Sequence, residues 1–453
     1  MQNFVLILIL LLSIRCTQVP KEWSLDANPQ SGQLSIIQTT TSENETFINI
    51  LRGKNASYTY TVELAGNKVG AIRKYKTVSG GPLHHWRIDK LHISRLQPNV
   101  TYDFVVYNSK LNYEVDRRRF STLTLDKKNV QFVIASCMSD HHRFGHIREQ
   151  IWQQVSNLNP DLILMIGDNV YVDDFDFVDR KSVSKFDIWQ RYIDTLRIIP
   201  FYRQKKLIPV LATWDDHDYG LNNSGKGFTQ KWNSLDVFKT IYMGLDIPGV
   251  AELSKSSVYN EFIGFGQKFL LLDNRFFRDK SNSKSKYAYL GKRQQKWLIS
   301  KLNKDTKPTW VIAGGQFFSP TYKLKNGKQV NESFMADYPI NYRGFVSDLK
   351  SSSSPIAFLS GDVHYSEIME IESDILGYTS YEITSSPLHS YLFRANKEQD
   401  EFFKNTRRIA AVKDYNFIYI DSFIENNLWH INVKSYGPKQ EDPFFTKNLI
   451  IKR

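Results

Sequence analysis

Four apolar runs in this sequence each give way to a side chain that can hold a metal ion. Residues 130–136 (VQFVIAS) lead into Cys137. Residues 162–167 (LILMIG) lead into Asp168, with Tyr171 three residues on. Residues 207–213 (LIPVLAT) precede WDDHD, which supplies Asp215, Asp216, His217 and Asp218. Residues 356–361 (IAFLSG) lead into Asp362, with His364 two residues on. In layered α/β folds, ligands gather at the carboxyl ends of the strands. If the four strands share one sheet, their ends meet on one rim and bring carboxylates, a phenol, a thiol and imidazoles together. So many acidic groups would repel one another. A multinuclear metal site removes that conflict.

Taken singly, each residue has a plainer reading. Asp168 could close a turn on its own backbone. Cys137 could be an inert buried residue, and His364 a hydrogen-bonded core histidine. Independent turns need not carry this combination at four strand ends, so the shared metal site is the reading adopted.

Arg275, in LLDNRFFR (271–278), closes another apolar run. Its guanidinium could fork onto phosphate oxygens. An ion pair with Asp273 or Asp279 is the alternative. Asn222 and Asn223, just after Gly220, could line the site, with Asn222 the candidate substrate-binding residue. His141 and His142 read as a solvated loop, and His389, in SSPLHS, as a further pocket candidate.

The motifs resemble a known family. Gly167-Asp168-Asn169-Val170-Tyr171 fits the GDxxY motif of calcineurin-like metallophosphoesterases. Asp216-His217-Asp218 sits where that superfamily has Asn-His-Asp/Glu, and Gly361-Asp362-Val363-His364 where it has Gly-His-x-His. Ser-Cys after the first strand, WDDHD, the late Gly-Asp-Val-His, LLDNRFFR and LGKRQQKWL (290–298) together closely resemble the PhoD-like alkaline phosphatases. The resemblance covers about residues 130–435.

It implies a four-layer α/β/β/α sandwich and an Fe³⁺ ion beside one or two Ca²⁺ ions, with Mn²⁺ or Zn²⁺ as alternative divalent metals. By resemblance, Cys137, Asp168, Tyr171 and His364 hold iron. Asp168 bridges to a second metal that Asp216 and Asp362 also hold. Asp215 or Asp218 takes a further calcium or supports a ligand. Thiolate, phenolate and imidazole suit iron, and an all-oxygen remainder suits a hard cation. The implied activity is phosphate ester hydrolysis, with a metal-activated hydroxide attacking phosphorus in line. His217 and Arg275 would be the catalytic and substrate-binding side chains. His217 would steady the transition state or protonate the leaving group, or else serve as a structural histidine.

To position these residues, the chain must alternate strand and helix. After Asn129, apolar runs alternate with amphipathic stretches at 146–158, 188–196, 232–241 and 292–302, which argues for an α/β architecture. β texture returns at 417–422 and 428–434. Ahead of this, about residues 20–126 read as a small all-β sandwich. Short alternating runs occur at 34–39, 47–51, 58–62 and 86–88. LQPNVTYDFVVYN (96–108) sets Tyr102, Phe104 and Val106 at period two. With the closing Phe120-Ser121-Thr122, it resembles a fibronectin type III-like domain. LDKKNV (125–130) marks the boundary, so the catalytic domain is expected at 127–453.

Composition sets the outer limits. The chain has 453 residues, 41% hydrophobic and 23% charged, which excludes disordered, collagenous and multi-pass membrane classes. The 59 Lys+Arg exceed 47 Asp+Glu by 12, which favours anionic ligands. The lysines are spread rather than striped, so nucleic acid is not the expected partner. Two cysteines exclude a disulfide scaffold. GxGxxG, Walker and GxSxG sequences and a paired CxxC site are all absent. Residues 4–14 (FVLILILLLSI) are too short to span a bilayer and have the length of a signal-peptide core. The expectation is export, with residues 1–19 as the signal. Cys16 directly after the run resembles a lipoprotein acylation site, although Arg15 replaces the usual small residue; otherwise Cys16 leaves with the signal. Asn44, Asn55 and Asn99 are glycosylation acceptors only in a host that glycosylates exported proteins. The rival functions are a phospholipase-like phosphodiesterase, and a surface- or carbohydrate-binding protein with purely structural metals. The oligomeric state stays open.

Overall fold

Alternate residues of the strand Asn129–Ala135 face opposite ways, and both sides are buried. Val130, Phe132 and Ile134 enter one hydrophobic core, and Val133 and Ala135 another. Leu162–Ile166 divides the same way, with Leu162, Leu164 and Ile166 on one side and Ile163 and Met165 on the other. Strands buried on both faces need a layer above and a layer below. The computed structural model of the chain has these layers. It describes residues 34–80, 85–175, 178–179, 181–281, 283–320, 322–325, 328–393, 406–439 and 441–453. The apolar run at 4–14 and Cys16 lie outside the described residues.

Two mixed sheets form the centre. The first has six strands, in the order Val210–Thr213, Leu162–Ile166, Asn129–Ala135, Phe417–Glu425, Leu428–Tyr436 and Phe445–Ile451. Its first three are parallel, and the rest are added antiparallel in turn. The second has eight, with a parallel centre of Gln267–Leu271, Thr309–Ile312, Ile356–Ser360 and Ser380–Thr384. The sheets meet through aromatic rings. Phe132 lies 5.7 Å from Phe269 and 5.4 Å from Trp310, and Trp310 lies 4.7 Å from Trp429.

Helices Gly145–Leu158, Lys185–Ile198 and Lys231–Tyr242 cover the first sheet, and Lys292–Leu302 and Pro339–Lys350 the second. The result is the expected α/β/β/α sandwich. Helix ends follow local chemistry. Ser184 and Asp187 form a reciprocal capping box at the start of Lys185–Ile198, and a left-handed Asn159 ends Gly145–Leu158.

One expectation needs correcting. The four metal-bearing strands do not share a sheet. Asn129–Ala135, Leu162–Ile166 and Val210–Thr213 lie side by side in the first, whereas Ile356–Ser360 belongs to the second. Period-two burial marks a strand as central but does not say in which of two stacked sheets it lies.

Before this sandwich stand two four-stranded antiparallel sheets. One is built from Ser35–Thr41, Thr46–Gly53, Trp86–Ser94 and Ala71–Gly80, and the other from Asn67–Lys68, Tyr58–Leu64, Thr101–Asn108 and Glu114–Ser121. Ile48, Ile50, Ile93, Phe104 and Val106 share their core. The Tyr102 hydroxyl accepts the Gln97 N–H at 2.8 Å, which pins the turn before the Thr101–Asn108 strand. Asn49 Nδ2 and Lys90 Nζ reach carbonyls at the end of helix Lys231–Tyr242. Among the described residues, no helix is long and apolar enough to cross a membrane.

Candidate metal centre

The chain leaves its strands by one repeated device. Cys137, Asp168, Asp362 and His364 all take left-handed backbone angles, with φ of 56°, 50°, 70° and 60°. Side chains other than glycine pay roughly 1–2 kcal/mol for this conformation, and such residues gather at functional sites. Gly167, with φ of 122°, is needed twice over. A Cβ there would also stand 2.7 Å from the Asp215 Cβ. Gly314, after strand Thr309–Ile312, likewise abuts Asp215. Loops from both sheets thus close on one point.

The acidic side chains meet there. Cys137 Sγ lies 3.5 Å from Asp168 Oδ2 and 3.6 Å from the Asp362 carbonyl oxygen. Asp168, Asp216 and His217 offer ligand atoms all within 4.8 Å of one another, and so do Asp215, Asp216 and Asp362. Asp216 belongs to both groups, so two cation positions can share it. Tyr171 is buried beside them. Its hydroxyl accepts from Ser390 Oγ at 2.7 Å, and its ring lies 4.5 Å from that of His217. His364 joins through neighbours. Its ring and that of Tyr171 both approach Tyr391, at 6.3 and 6.5 Å. Its N–H donates to Ser386 Oγ (2.9 Å), and the Ser386 hydroxyl donates to Cys137 Sγ (3.1 Å).

Electrostatics argue for cations. Burial pushes the Asp168 carboxyl well above its usual range; His217 opposes this, while Asp216, Asp215 and Asp362 reinforce it. Burial, then Asp168, raises the Cys137 thiol. Burial, then Cys137 and Asp168, raises the Tyr171 phenol. Asp216 goes the other way. Burial would raise it, but Arg275 and His217 hold it below the carboxylate range. Three buried acceptors also lack hydrogen-bond partners: Asp215 Oδ2, Asn274 Oδ1 and Asn169 Oδ1. Buried polar atoms are rarely left so. A crowd of anionic donors and orphaned oxygens fits metal ions.

His217 is held from behind. Its Nδ1 lies 2.6 Å from Asp173 Oδ1, which leaves Nε2 as the ring's other donor or acceptor. Burial would lower its pKa, but Asp168, Asp216 and Asp173 lift it well above the ordinary imidazole value. Arg275 is buried, and its partners differ from both candidates named above. Nε bonds Asp215, and Nη2 lies 3.6 Å from Asp216 Oδ1. Asp273 instead caps the Arg275 and Phe276 N–H groups (2.9 and 2.8 Å), and Asp279 pairs with Lys226. Arg275 Nη1 has no hydrogen-bond partner.

Asp218 is a fastener. Its carboxylate accepts from Asn169 N (2.9 Å), Val170 N (3.1 Å) and Asp215 N (3.0 Å), and burial pushes it up to about 7. It ties the GDNVY turn to the WDDHD turn. Asn222 and Asn223 have exposed side chains and act through their backbones. The Asn222 N–H donates to Asp173 (2.8 Å) and the Asn223 N–H to Asp216 (2.6 Å).

Two histidines sit elsewhere than expected. His389 is no pocket residue. It is fully buried, with Nε2 accepting from Trp152 Nε1 (3.0 Å) and Nδ1 facing the Ser139 carbonyl (3.0 Å). Burial, then Arg148, lowers its pKa to about 3, so it is a neutral strut. His141 is buried rather than solvated, its ring tilted against that of the exposed His142 at 4.1 Å. Sequence reasoning passed over Asp173, Asn274, Ser386 and Ser390. Asn274 stands inside LLDNRFFR and Asp173 two residues past GDNVY, but their partners Asp215 and His217 are 59 and 44 positions away.

Residues 246–432 match the PhoD-like phosphatase family. That segment holds Arg275, Asp362 and His364. A solved structure titled "Structure of PhoD" superposes with a TM-score of 0.65 at 16% identity, covering 92% of this chain and 88% of that one. The shared fold thus includes the N-terminal sandwich. No curated protein matches the chain. Family and clusters together support a phosphatase that depends on metals.

Proposed function

We propose that this chain is an alkaline phosphatase that hydrolyses phosphate monoesters, with phosphodiesterase activity as a second capacity. The observation that carries the reading is the convergence of Cys137, Asp168, Asp215, Asp216 and Asp362 from two sheets. Cys137, Asp168, Tyr171 and His364 would hold iron, and Asp168, Asp216 and Asp362 a calcium ion, with Asp215 available to a further one. Bound cations supply a water acidic enough to be a nucleophile near neutral pH, and they offset charge on the phosphoryl oxygens.

The remaining work falls to this chain's own groups. Asp173 fixes the ring of His217, which suits that imidazole to protonate the leaving oxygen. Asp215 fixes Arg275, whose unpartnered Nη1 suits it to a phosphoryl oxygen. The site lies in an exported enzyme if residues 1–19 are a signal. Elemental analysis of purified protein, paired with phosphate release before and after chelation, tests the reading. Iron and calcium in the protein, with phosphate release lost on chelation and regained on metal addition, are expected. Hydrolysis unchanged by chelation overturns it.

A further inference from the structure

The turn at residues 221–224 has two sides. One belongs to the metal centre, through the bonds from Asn222 to Asp173 and from Asn223 to Asp216. On the other side, Leu221, Asn223 and Ser224 help line a cavity of about 570 Å³, a size that accepts part of a small molecule. Residues 181–183, 225–229 and 278–280 complete its wall.

The wall is cationic. Lys181, Lys226, Arg278 and Lys280 line it, with Asp279 as the one acidic side chain among the lining residues. Lys226 is spent on Asp279. Arg278 is clamped: its guanidinium lies 5.2 and 5.4 Å from the Tyr289 and Tyr338 ring centres, and Nε donates to the Tyr338 hydroxyl at 2.9 Å. Lys181 and Lys280 are exposed and enter no ion pair among the described residues. Arg278 also pairs with Asp337 at 3.4 Å, so the two uncommitted ammonium groups carry the pocket's preference for anions. The pocket shares a wall with a centre read as acting on phosphate esters.

We infer that this cavity is a second anion subsite, and that the preferred substrates are esters whose leaving group carries a further anionic group, such as a second phosphate. The inference rests on the phosphoesterase reading of the neighbouring centre. The first phosphoryl group would meet the metal-binding side chains, and the distal anion would meet Lys181 and Lys280. Exposed lysines act through a screened field, so the effect belongs to low ionic strength.

The experiment compares hexyl phosphate with hexanediol bisphosphate, which differ only in the distal charge. Phosphate release is measured for the wild type and for the double variant Lys181→Ala/Lys280→Ala, both metal-loaded. Both lysines are exposed, and thermal melting checks that the variant folds. The expected result is a kcat/KM about tenfold higher for the bisphosphate at low salt, beyond the twofold owed to its two ends. The double variant should lose this preference through KM while hexyl phosphate is unaffected. Equal use of the two esters by the wild type overturns the inference, and so does a preference that survives in the variant. If neither ester is hydrolysed, the phosphoesterase reading fails, and calorimetric titration with the bisphosphate decides the subsite. Weaker binding by the variant then upholds it, and equal binding rejects it.

Discussion

His217 Nδ1 stands 2.6 Å from Asp173 Oδ1, while the other Asp173 oxygen accepts the Asn222 N–H at 2.8 Å. One carboxylate thus fixes both the imidazole and the turn beside it. If His217 protonates the leaving group, Asp173→Asn should hurt poor leaving groups most. We expect kcat to fall about a hundredfold for alkyl phosphates and much less for nitrophenyl phosphate, with KM nearly constant. Equal losses on both ester types would show that Asp173 serves folding alone.

Removing metal should loosen the protein as well as stop it. Asp168, Asp215, Asp216 and Asp362 crowd together with Cys137, offset nearby by Arg275 and His217 and, for Asp216, by Arg278. A cation held at a hundred times its Kd adds about 3 kcal/mol of stability. Chelation should therefore lower Tm by about 3 °C for each cation lost, and scanning calorimetry with calcium or iron added back should restore it. A Tm indifferent to chelation would mean that the cluster is stable without ions.

Iron has its own signature. A phenolate bound to Fe³⁺ absorbs visible light, and Tyr171 is buried against the His217 ring. Purified protein should be coloured, and Tyr171→Phe should bleach it while iron content is largely kept. A colourless, iron-free, active preparation would reject iron and leave a calcium or manganese centre.

The sequence showed the strand ends because burial has a period, and a metal ligand that closes a period stands out. Cys137, Asp168, Asp216 and Asp362 could be read in this way. Which sheet received Ile356–Ser360 could not, since a strand buried on both faces looks the same in either layer. Partners far apart in the chain were also hidden. Arg275 is bound by Asp215 from another sheet, although Asp273 and Asp279 are nearer in sequence. His389 looked like a pocket residue because its burial depends on Trp152, 237 positions away.

His389 should leave a mark on pH stability. Its folded pKa of about 3 lies below the ordinary 6.5. As pH falls below 6.5, the unfolded chain takes the proton first, and stability drops by up to about 1.4 kcal/mol per pH unit. Asp194 and Glu382, raised by burial to about 6 and about 7, act in the opposite sense, because the folded chain takes their protons first. Those terms are common to both proteins, so comparing the wild type with His389→Gln isolates the histidine. Between pH 6.5 and 5 the wild type should lose about 2 kcal/mol more than the variant in urea unfolding. Parallel pH curves would mean that His389 is not held neutral.

Lys90 offers the test of how the two parts of the chain are joined. It belongs to strand Trp86–Ser94 of the N-terminal sandwich, yet its Nζ donates to the carbonyls of Lys239, Thr240 and Met243 at 2.9, 2.9 and 2.7 Å. Those carbonyls end helix Lys231–Tyr242, where unpaired acceptors and the helix dipole both favour a cation. Asn49, from the neighbouring strand, adds a bond to the Ile241 carbonyl at 2.9 Å. Lys90→Met keeps most of the stem but takes a donor from three carbonyls, of which Lys239 keeps the Met243 N–H and Met243 keeps Asn49 Nδ2, at a cost of about 2 kcal/mol. Those carbonyls lie at the opposite end of the helix from Ser234, whose hydroxyl donates to the Tyr219 carbonyl beside the metal ligands, so kcat should hold while Tm falls by about 2 °C. Proteolysis should then release the two parts sooner than in the wild type. If Asn49→Ala and Lys90→Met together change neither Tm nor the cleavage rate, the junction is held by the apolar contacts of Ile37, Leu51, Trp86 and Ile88 and not by this polar clasp.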